Sequence, residues 1–92
     1  MRVISQDGTI DVPYEMSSIR NDDGLIILCM AGETGKGSVI ATYSTSEKAE
    51  KAMEMLRGKY KDYAKATNKS NFFTMFDYPK VFQFPKDEDV EV

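Results

Sequence analysis

A continuous apolar run, LIILCMA at residues 25–31, restricts the possible folds more than any other feature of the chain. It has the length of a β-strand and falls far short of the roughly 20 residues that span a bilayer. Because apolar residues occupy consecutive positions, we expect both faces of this strand to be covered, as in the centre of a sheet. The single cysteine, Cys29, lies in this run and is predicted to be a small buried apolar residue.

The glycine-rich stretch that follows, AGETGKGSV, has the composition of a phosphate-binding loop. That loop requires Gly-x-x-x-x-Gly-Lys-[Ser/Thr] between a strand and a helix. Here Met30 occupies the place of the first glycine, and Gly37 follows Lys36 where serine or threonine is needed. The β-branched segment SVIATY comes next, so the stretch predicts the tip of a β-hairpin. If a ligand binds there, Lys36 supplies the exposed cation and Thr34 the hydroxyl.

Turn chemistry predicts a further hairpin at the N-terminus. Asp7-Gly8 is typical of a two-residue type I′ turn, because Gly8 adopts positive φ freely and Asp7 tolerates it. Such a turn places Val3 opposite Val12. Aromatic and β-branched residues also predict strands in SVIATY and near the C-terminus in VFQF, with a weaker strand in YEMSSIR.

The strongest helix signals begin at residue 44. The segment STSE is typical of a capping box, in which Ser44 accepts a hydrogen bond from the backbone N–H of Glu47. Beyond it, apolar residues recur on one face at 100° per residue and predict an amphipathic helix that ends near Ala66. That face comprises Ala49, Ala52, Met53, Leu56, Tyr60, Tyr63 and Ala64.

Together these elements predict an α+β fold in which an antiparallel β-meander of four to five strands carries one amphipathic helix on one face. We expect residues 1–86 to form this single domain. The remaining residues, 87–92, are dominated by acids and are predicted to be a mobile tail.

The residue types that support catalysis or metal binding are scarce. The chain has no histidine, which is the commonest general base near neutral pH and the commonest zinc ligand, and its one cysteine excludes a zinc–thiolate site. The acids of the tail lack the glycine and the ligand spacing of a calcium loop. We therefore expect a protein that is not an enzyme and holds no cofactor and no metal.

No apolar run has the length of a membrane span, and the N-terminus lacks the apolar core of a signal peptide, so we predict a cytoplasmic protein without a membrane association. Residues 47–69 carry seven basic and four acidic side chains, whereas the whole chain has a net charge of −3. Because acids alternate with lysines along the helix and the chain is acidic overall, this pattern indicates a solvated face and opposes nucleic-acid binding.

Met55 lies at the margin of the apolar helix face. With Phe72, Phe73 and Phe76 it predicts an exposed apolar patch and hence an interface, which a homodimer would cover. The predicted binding residues are Thr34, Lys36, Met55, Phe72 and Phe73.

Three blocks of the sequence, MRVISQDGTIDVPYE, YSTSEKAEKAMEMLR and VFQFP, resemble a group of small uncharacterised proteins encoded by phages and integrated elements of Gram-positive bacteria. In that group the blocks recur in this order around a variable middle. The resemblance spans most of the chain and implies a phage or prophage accessory protein in a bacterial host cell. It carries over no activity and no functional residue.

Three classes of function are compatible with the sequence. We favour a non-catalytic module that binds a host protein or a small signalling ligand and so counters host defence, because the residue types for catalysis are scarce. A structural or assembly protein of the virion predicts stable higher oligomers. A weak nucleic-acid binder that uses the helix and the aromatic residues predicts retention on DNA or RNA that falls steeply with salt.

Overall fold

A computed structural model describes residues 1–33, 35–68 and 81–92. Within them the chain forms six β-strands, one long α-helix and two short 3₁₀ turns. The elements are β1 (Arg2–Ile4), β2 (Asp11–Pro13), a first 3₁₀ turn (Tyr14–Met16), β3 (Ser17–Asp22), β4 (Leu25–Met30), β5 (Ser38–Thr42), α1 (Ser46–Asn68), β6 (Val81–Gln83) and a C-terminal 3₁₀ turn (Asp87–Asp89). The predicted α+β class is therefore confirmed.

The described strands form two three-stranded sheets where the sequence predicts a single meander. β3, β4 and β5 are antiparallel and follow chain order, as in the predicted meander. β1 pairs antiparallel with β2 and parallel with β6. The parallel pair differs from the prediction, and it is possible because the chain makes a long crossover through α1 before β6 returns to β1.

The first hairpin has the predicted register but a different turn. Val3 lies opposite Val12, as expected. The turn is closed by a hydrogen bond of 3.0 Å from the Gly8 N–H to the Ser5 carbonyl, and of the two turn residues Gly8 alone has a positive φ, of 79°. The Ser5 N–H donates to the Ile10 carbonyl at 2.8 Å, so Ser5 lies opposite Ile10 and the loop contains four residues, 6–9, which is not a two-residue type I′ turn.

Helix α1 covers the inner face of the β3–β4–β5 sheet with the predicted apolar residues. Ala49, Ala52 and Leu56 are buried in one core with Ile26 and Leu28 of β4. The first sheet contributes to this same core with Val3, Phe82 and Phe84. No helix among the described residues is both long and apolar enough to cross a membrane.

The start of α1 differs from the predicted capping box by one residue. The Lys48 N–H donates to the Thr45 hydroxyl at 3.1 Å, so Thr45 caps the helix. Ser44 is instead bound to Asp87, whose Oδ1 accepts hydrogen bonds from the Ser44 N–H at 2.7 Å and from its hydroxyl at 3.0 Å. These hydrogen bonds, led by that from the Ser44 backbone, lower the pKa of Asp87.

The C-terminal residues are docked, where the sequence predicts a mobile tail. Val90 is only 3% exposed and belongs to the core. The Lys48 ammonium forms an ion pair of 3.3 Å with Asp87 and also donates to its carbonyl oxygen at 3.1 Å. A single buried valine and one partnered aspartate thus hold an acidic segment that composition alone assigns to solvent.

Candidate functional site

One edge of the β3–β4–β5 sheet, formed by β5, is closed by Gln6. The Gln6 N–H donates to the Ile40 carbonyl at 2.8 Å. Its side-chain amide accepts from the Thr42 N–H at 3.0 Å and donates to the carbonyl oxygens of Thr42 at 3.2 Å and Pro85 at 3.0 Å. The side chain therefore pairs with Thr42 as a strand residue would, and it joins the two sheets.

The other edge of this sheet is β3. A two-residue turn at Asp23-Gly24, with φ values of 50° and 95°, joins β3 to β4. In such a hairpin the residues that flank the turn form a hydrogen-bonded pair, and pairs with and without hydrogen bonds then alternate along the ladder. The backbone groups of Asp22, Arg20 and Ser18 are accordingly used within the sheet.

The intervening residues, Ile19 and Asn21, direct their backbone N–H and C=O groups away from β4. A hydrogen bond of 2.8 Å from the Ala31 N–H to the Met16 carbonyl continues the same alternation and supports its phase. Within the described part of the chain, no further backbone hydrogen bond reaches Ile19 or Asn21 from the side opposite β4. We refer to the outward backbone groups of Ile19 and Asn21 as the open edge.

A groove of about 520 Å³ lies between β3 and α1, next to the open edge. Its floor is apolar and contains Ile19, Met53 and Leu56. At one end Tyr14 and Tyr60 form an aromatic wall, with ring centroids 4.5 Å apart. This helix groove is lined by Tyr14, Glu15, Ser17, Ile19, Met53, Leu56, Arg57 and Tyr60.

Two charged side chains border the helix groove, and they differ in their partners. The Glu15 carboxylate accepts hydrogen bonds of 3.0 and 3.1 Å from the Met1 ammonium; partial burial raises its pKa, but these bonds outweigh that effect and leave the pKa lowered. Within residues 1–33, 35–68 and 81–92, Arg57 donates one hydrogen bond, of 3.3 Å, to Glu50. Since a guanidinium has five N–H donors, Arg57 retains donors for an anionic ligand.

The outer face of the β3–β4–β5 sheet, opposite α1, is only partly covered. Leu25 and Val39 are 38% and 51% exposed, whereas Ile27 is buried. Cys29 is half-buried and lies 3.8 Å from an Arg20 nitrogen. The expectation that both faces of the apolar run are covered is therefore wrong for Leu25, and the expectation of a buried Cys29 is wrong as well.

The glycine-rich stretch is the predicted hairpin connection between β4 and β5. Its Gly37 packs closely against β4. An added Cβ at Gly37, where φ is 87°, would lie only 2.5 Å from the Leu28 carbonyl oxygen. Arg20 also donates to the Lys36 carbonyl at 3.3 Å. A substitution at Gly37 would therefore be disfavoured both by its φ and by this close contact.

Of the predicted binding residues, the structure describes two, and these two lie apart. Lys36 is exposed in the hairpin loop on the outer face. Met55 is 41% exposed on α1, on the other side of the sheet. Thr34, Phe72 and Phe73 lie outside the described residues.

Neither the open edge nor the helix groove is predicted by the sequence patterns described above. Their local signals are the Asp-Gly turn after β3 and the alternation of half-buried and exposed residues in SSIRND. No local sequence pattern connects Tyr14 to Tyr60, which are far apart in the chain. In the described ranges, no group of three or more cysteine, aspartate or glutamate side chains could hold a metal ion.

Comparison with known proteins found no match to this chain among protein-family models, curated proteins or solved structures.

Proposed function

We propose that this chain is a non-catalytic phage or prophage accessory protein that acts within a bacterial host cell by binding a host protein or a small signalling ligand. The observation that carries this proposal is the helix groove. An apolar floor with an aromatic wall and a few polar groups at the rim is typical of binding sites, and about 520 Å³ lies within their usual size range. The phage context is supported by the resemblance of the three sequence blocks.

The polar residues of the groove favour binding over chemistry. The Ser17 hydroxyl donates to the Tyr14 carbonyl at 2.9 Å, and the Glu15 carboxylate is held by the Met1 ammonium. In the part of the chain that the structure describes, neither group contacts a partner that would activate it as a nucleophile or as a general base. Arg57 can orient an anionic group of a ligand without taking part in proton transfer.

The proposal is tested by affinity capture from a lysate of the bacterial host, followed by mass spectrometry of retained proteins and nucleotides. Three forms are compared: the wild-type protein, Arg57→Glu in the groove, and Lys51→Glu, an exposed position of α1 that does not line the groove. We expect the same species to be retained by the wild type and Lys51→Glu and to be lost from Arg57→Glu. Retention that is unaffected by Arg57→Glu, or no specific retention, would contradict the proposal.

The identity of the retained species separates the remaining classes. A virion component would support an assembly role. Nucleic acid that elutes steeply with salt would support nucleic-acid binding. Either result would replace the host-binding function proposed above.

A further inference from the structure

The open edge and the helix groove adjoin each other at β3. Ile19 belongs to both: its side chain lines the groove, and its backbone groups face away from β4. Ser17 lines the same groove from the start of the strand. A strand edge that is unpaired within the described residues and a groove with an apolar floor beside it are two separate observations that point to one kind of ligand.

We infer that an extended peptide segment of a partner protein binds here by adding a strand to β3. This inference rests on the proposed function and names the partner class and the binding mode. In strand addition, main-chain hydrogen bonds supply affinity, and pockets for alternate side chains supply specificity. The side chains that point towards α1 enter the helix groove, and those between them point to the outer face.

The groove specifies which side chains it accepts. Its floor of Ile19, Met53 and Leu56 suits a large apolar side chain, which Tyr14 and Tyr60 contact from one end. The residue two positions from this apolar side chain lies on the same face of an extended peptide. If it is acidic, its carboxylate reaches the Arg57 N–H groups that do not bind Glu50 and forms a charge-assisted hydrogen bond. The ligand is thus a segment with apolar residues at alternating positions and one acidic residue among them.

The length of the bound segment is limited at both ends. The Asn21 side-chain nitrogen lies 3.4 Å from the Ser46 hydroxyl and from Glu50, and these contacts bridge β3 and α1 at one end. The Tyr14–Tyr60 pair stands at the other end. Ile19 and Asn21 together offer two donors and two acceptors, which an antiparallel segment of about four or five residues can satisfy.

A second copy of this chain brings like charges together at the open edge in the register centred on Arg20, whereas the register that pairs Ile19 with its own equivalent places Arg20 opposite Ser18 and is tested by sedimentation below. If two β3 strands pair about their midpoint, so that Ile19 of each lies opposite Asn21 of the other, Arg20 lies directly opposite its own equivalent. Like charges in directly opposed positions are destabilising. An acidic segment of another protein carries the complementary charge, so we assign the edge to a heterologous partner.

The experiment begins by selecting ligands from a library of terminally blocked octapeptides, randomised at all positions, on the full-length protein. We expect selected peptides to share apolar residues at alternating positions and one acidic residue. Selection of peptides with helical spacing of their apolar residues would overturn strand addition while leaving the binding function intact. Failure to select any peptide would also overturn it.

Amide hydrogen exchange then reports directly on the edge. In the free protein the Ile19 and Asn21 amides should exchange fast, whereas those of Ser18 and Arg20 are protected by the ladder. Adding the selected peptide should slow the exchange of Ile19 and Asn21. Protection of these two amides in the free monomer would show that another part of the same chain already covers the edge, and it would overturn the inference.

Substitutions at position 19 separate the backbone contact from the side-chain contact. Ile19→Ala removes only the side chain, and Ile19→Pro additionally removes the outward N–H while sparing the ladder. We expect Ile19→Pro to bind the selected peptide about tenfold more weakly than Ile19→Ala. Equal affinity of the two folded variants would overturn strand addition.

A peptide-side test does not depend on the folding of Ile19→Pro. N-methylation of the peptide residue that pairs with the edge should weaken binding, and N-methylation of its neighbour should not. Equal effects would overturn the inference, as would a dimer in sedimentation that Ile19→Pro dissociates, because the occupant would then be a second copy. Failure of the inference is distinct from failure of the proposed function, which fails if lysate capture retains no specific species or if Arg57→Glu retains the same species as the wild type.

Discussion

The two edges of the β3–β4–β5 sheet are treated in opposite ways. At β5, Gln6 supplies one backbone and three side-chain hydrogen bonds and joins the sheet to the rest of the molecule. At β3, Ile19 and Asn21 direct backbone groups to the side where the helix groove lies. The unpaired N–H and C=O groups of a strand edge can form hydrogen bonds with an added strand. The open edge, which lies beside a groove with an apolar floor, is therefore suited to binding an extended peptide.

This contrast separates stability from binding. Residues at the closed edge are expected to matter for the free energy of unfolding, because they connect the two sheets. Polar residues around the open edge are expected to matter for ligand affinity and little for folding. The residues beneath the groove are the exception, since its floor is also part of the core.

The largest effect is expected where the groove floor and the core coincide. Leu56 is buried, so Leu56→Ala should lower the free energy of unfolding by about 2 to 5 kcal/mol through lost burial and a residual cavity. Met55→Ala, one position along and exposed, should change it by less than about 0.5 kcal/mol. Urea denaturation of both variants provides the measurement. A loss below about 0.5 kcal/mol for Leu56→Ala would remove Leu56 from the core.

A smaller effect is expected at the closed edge. Gln6→Ala removes three side-chain hydrogen bonds and leaves backbone groups of β5 unpaired, so we expect a loss of about 1 to 3 kcal/mol. Gln83→Ala is the matched control, because Gln83 donates one hydrogen bond, of 3.3 Å, to Ser5. Chemical denaturation should show a clearly smaller loss for the control. Similar losses would mean that Gln6 does not close the edge in the way its contacts suggest.

The smallest effect concerns acid pH at the loop that contains Gln6. Hydrogen bonds from the Thr9 hydroxyl and N–H and from the Ser5 hydroxyl lower the pKa of Asp7 to about 2. Since this folded-state pKa is below the unfolded value near 3.9, Asp7 contributes stability that is complete above pH ~4 and is lost as the pH falls through about 2. The lowered pKa of Asp87 acts in the same direction.

We therefore expect the melting temperature to fall between about pH 5 and pH 2.5, and to fall less in Asp7→Asn than in the wild type. Differential scanning calorimetry at the two pH values measures both. An equal fall in the two proteins would show that the Asp7 carboxylate does not stabilise the folded hairpin.

Local chemistry made much of the fold predictable. The apolar stripe of α1, the hairpin between β4 and β5, and the opposition of Val3 and Val12 all follow from periodicity or from the spacing of turn residues. The errors also have local causes. In the segment STSE, three consecutive hydroxyl residues can each cap a helix, and Asp87, which is distant in sequence, binds Ser44 and leaves the cap to Thr45.

The candidate site was much less predictable. The open edge depends on the phase of the β3–β4 hydrogen bonds, which the Asp23-Gly24 turn sets, and the turn cluster NDDG does not by itself show which two residues form the turn. The groove requires Tyr14 to meet Tyr60, and its rim requires Arg57 to have few partners. Neither condition can be predicted from the residues of a single helix or strand.

The amino-acid sequence by itself determined the class of the protein: which segments are strands, which face of the helix is buried, and which loop turns between β4 and β5. These depend on dihedral preferences and on apolar spacing within a few residues. Only the tertiary structure decided that β6 returns parallel to β1, that Val90 is buried, that Gln6 closes one edge and that β3 pairs with no second strand among the described residues. These features depend on how residues that are far apart in the chain pack around one core. No short window of sequence contains that information.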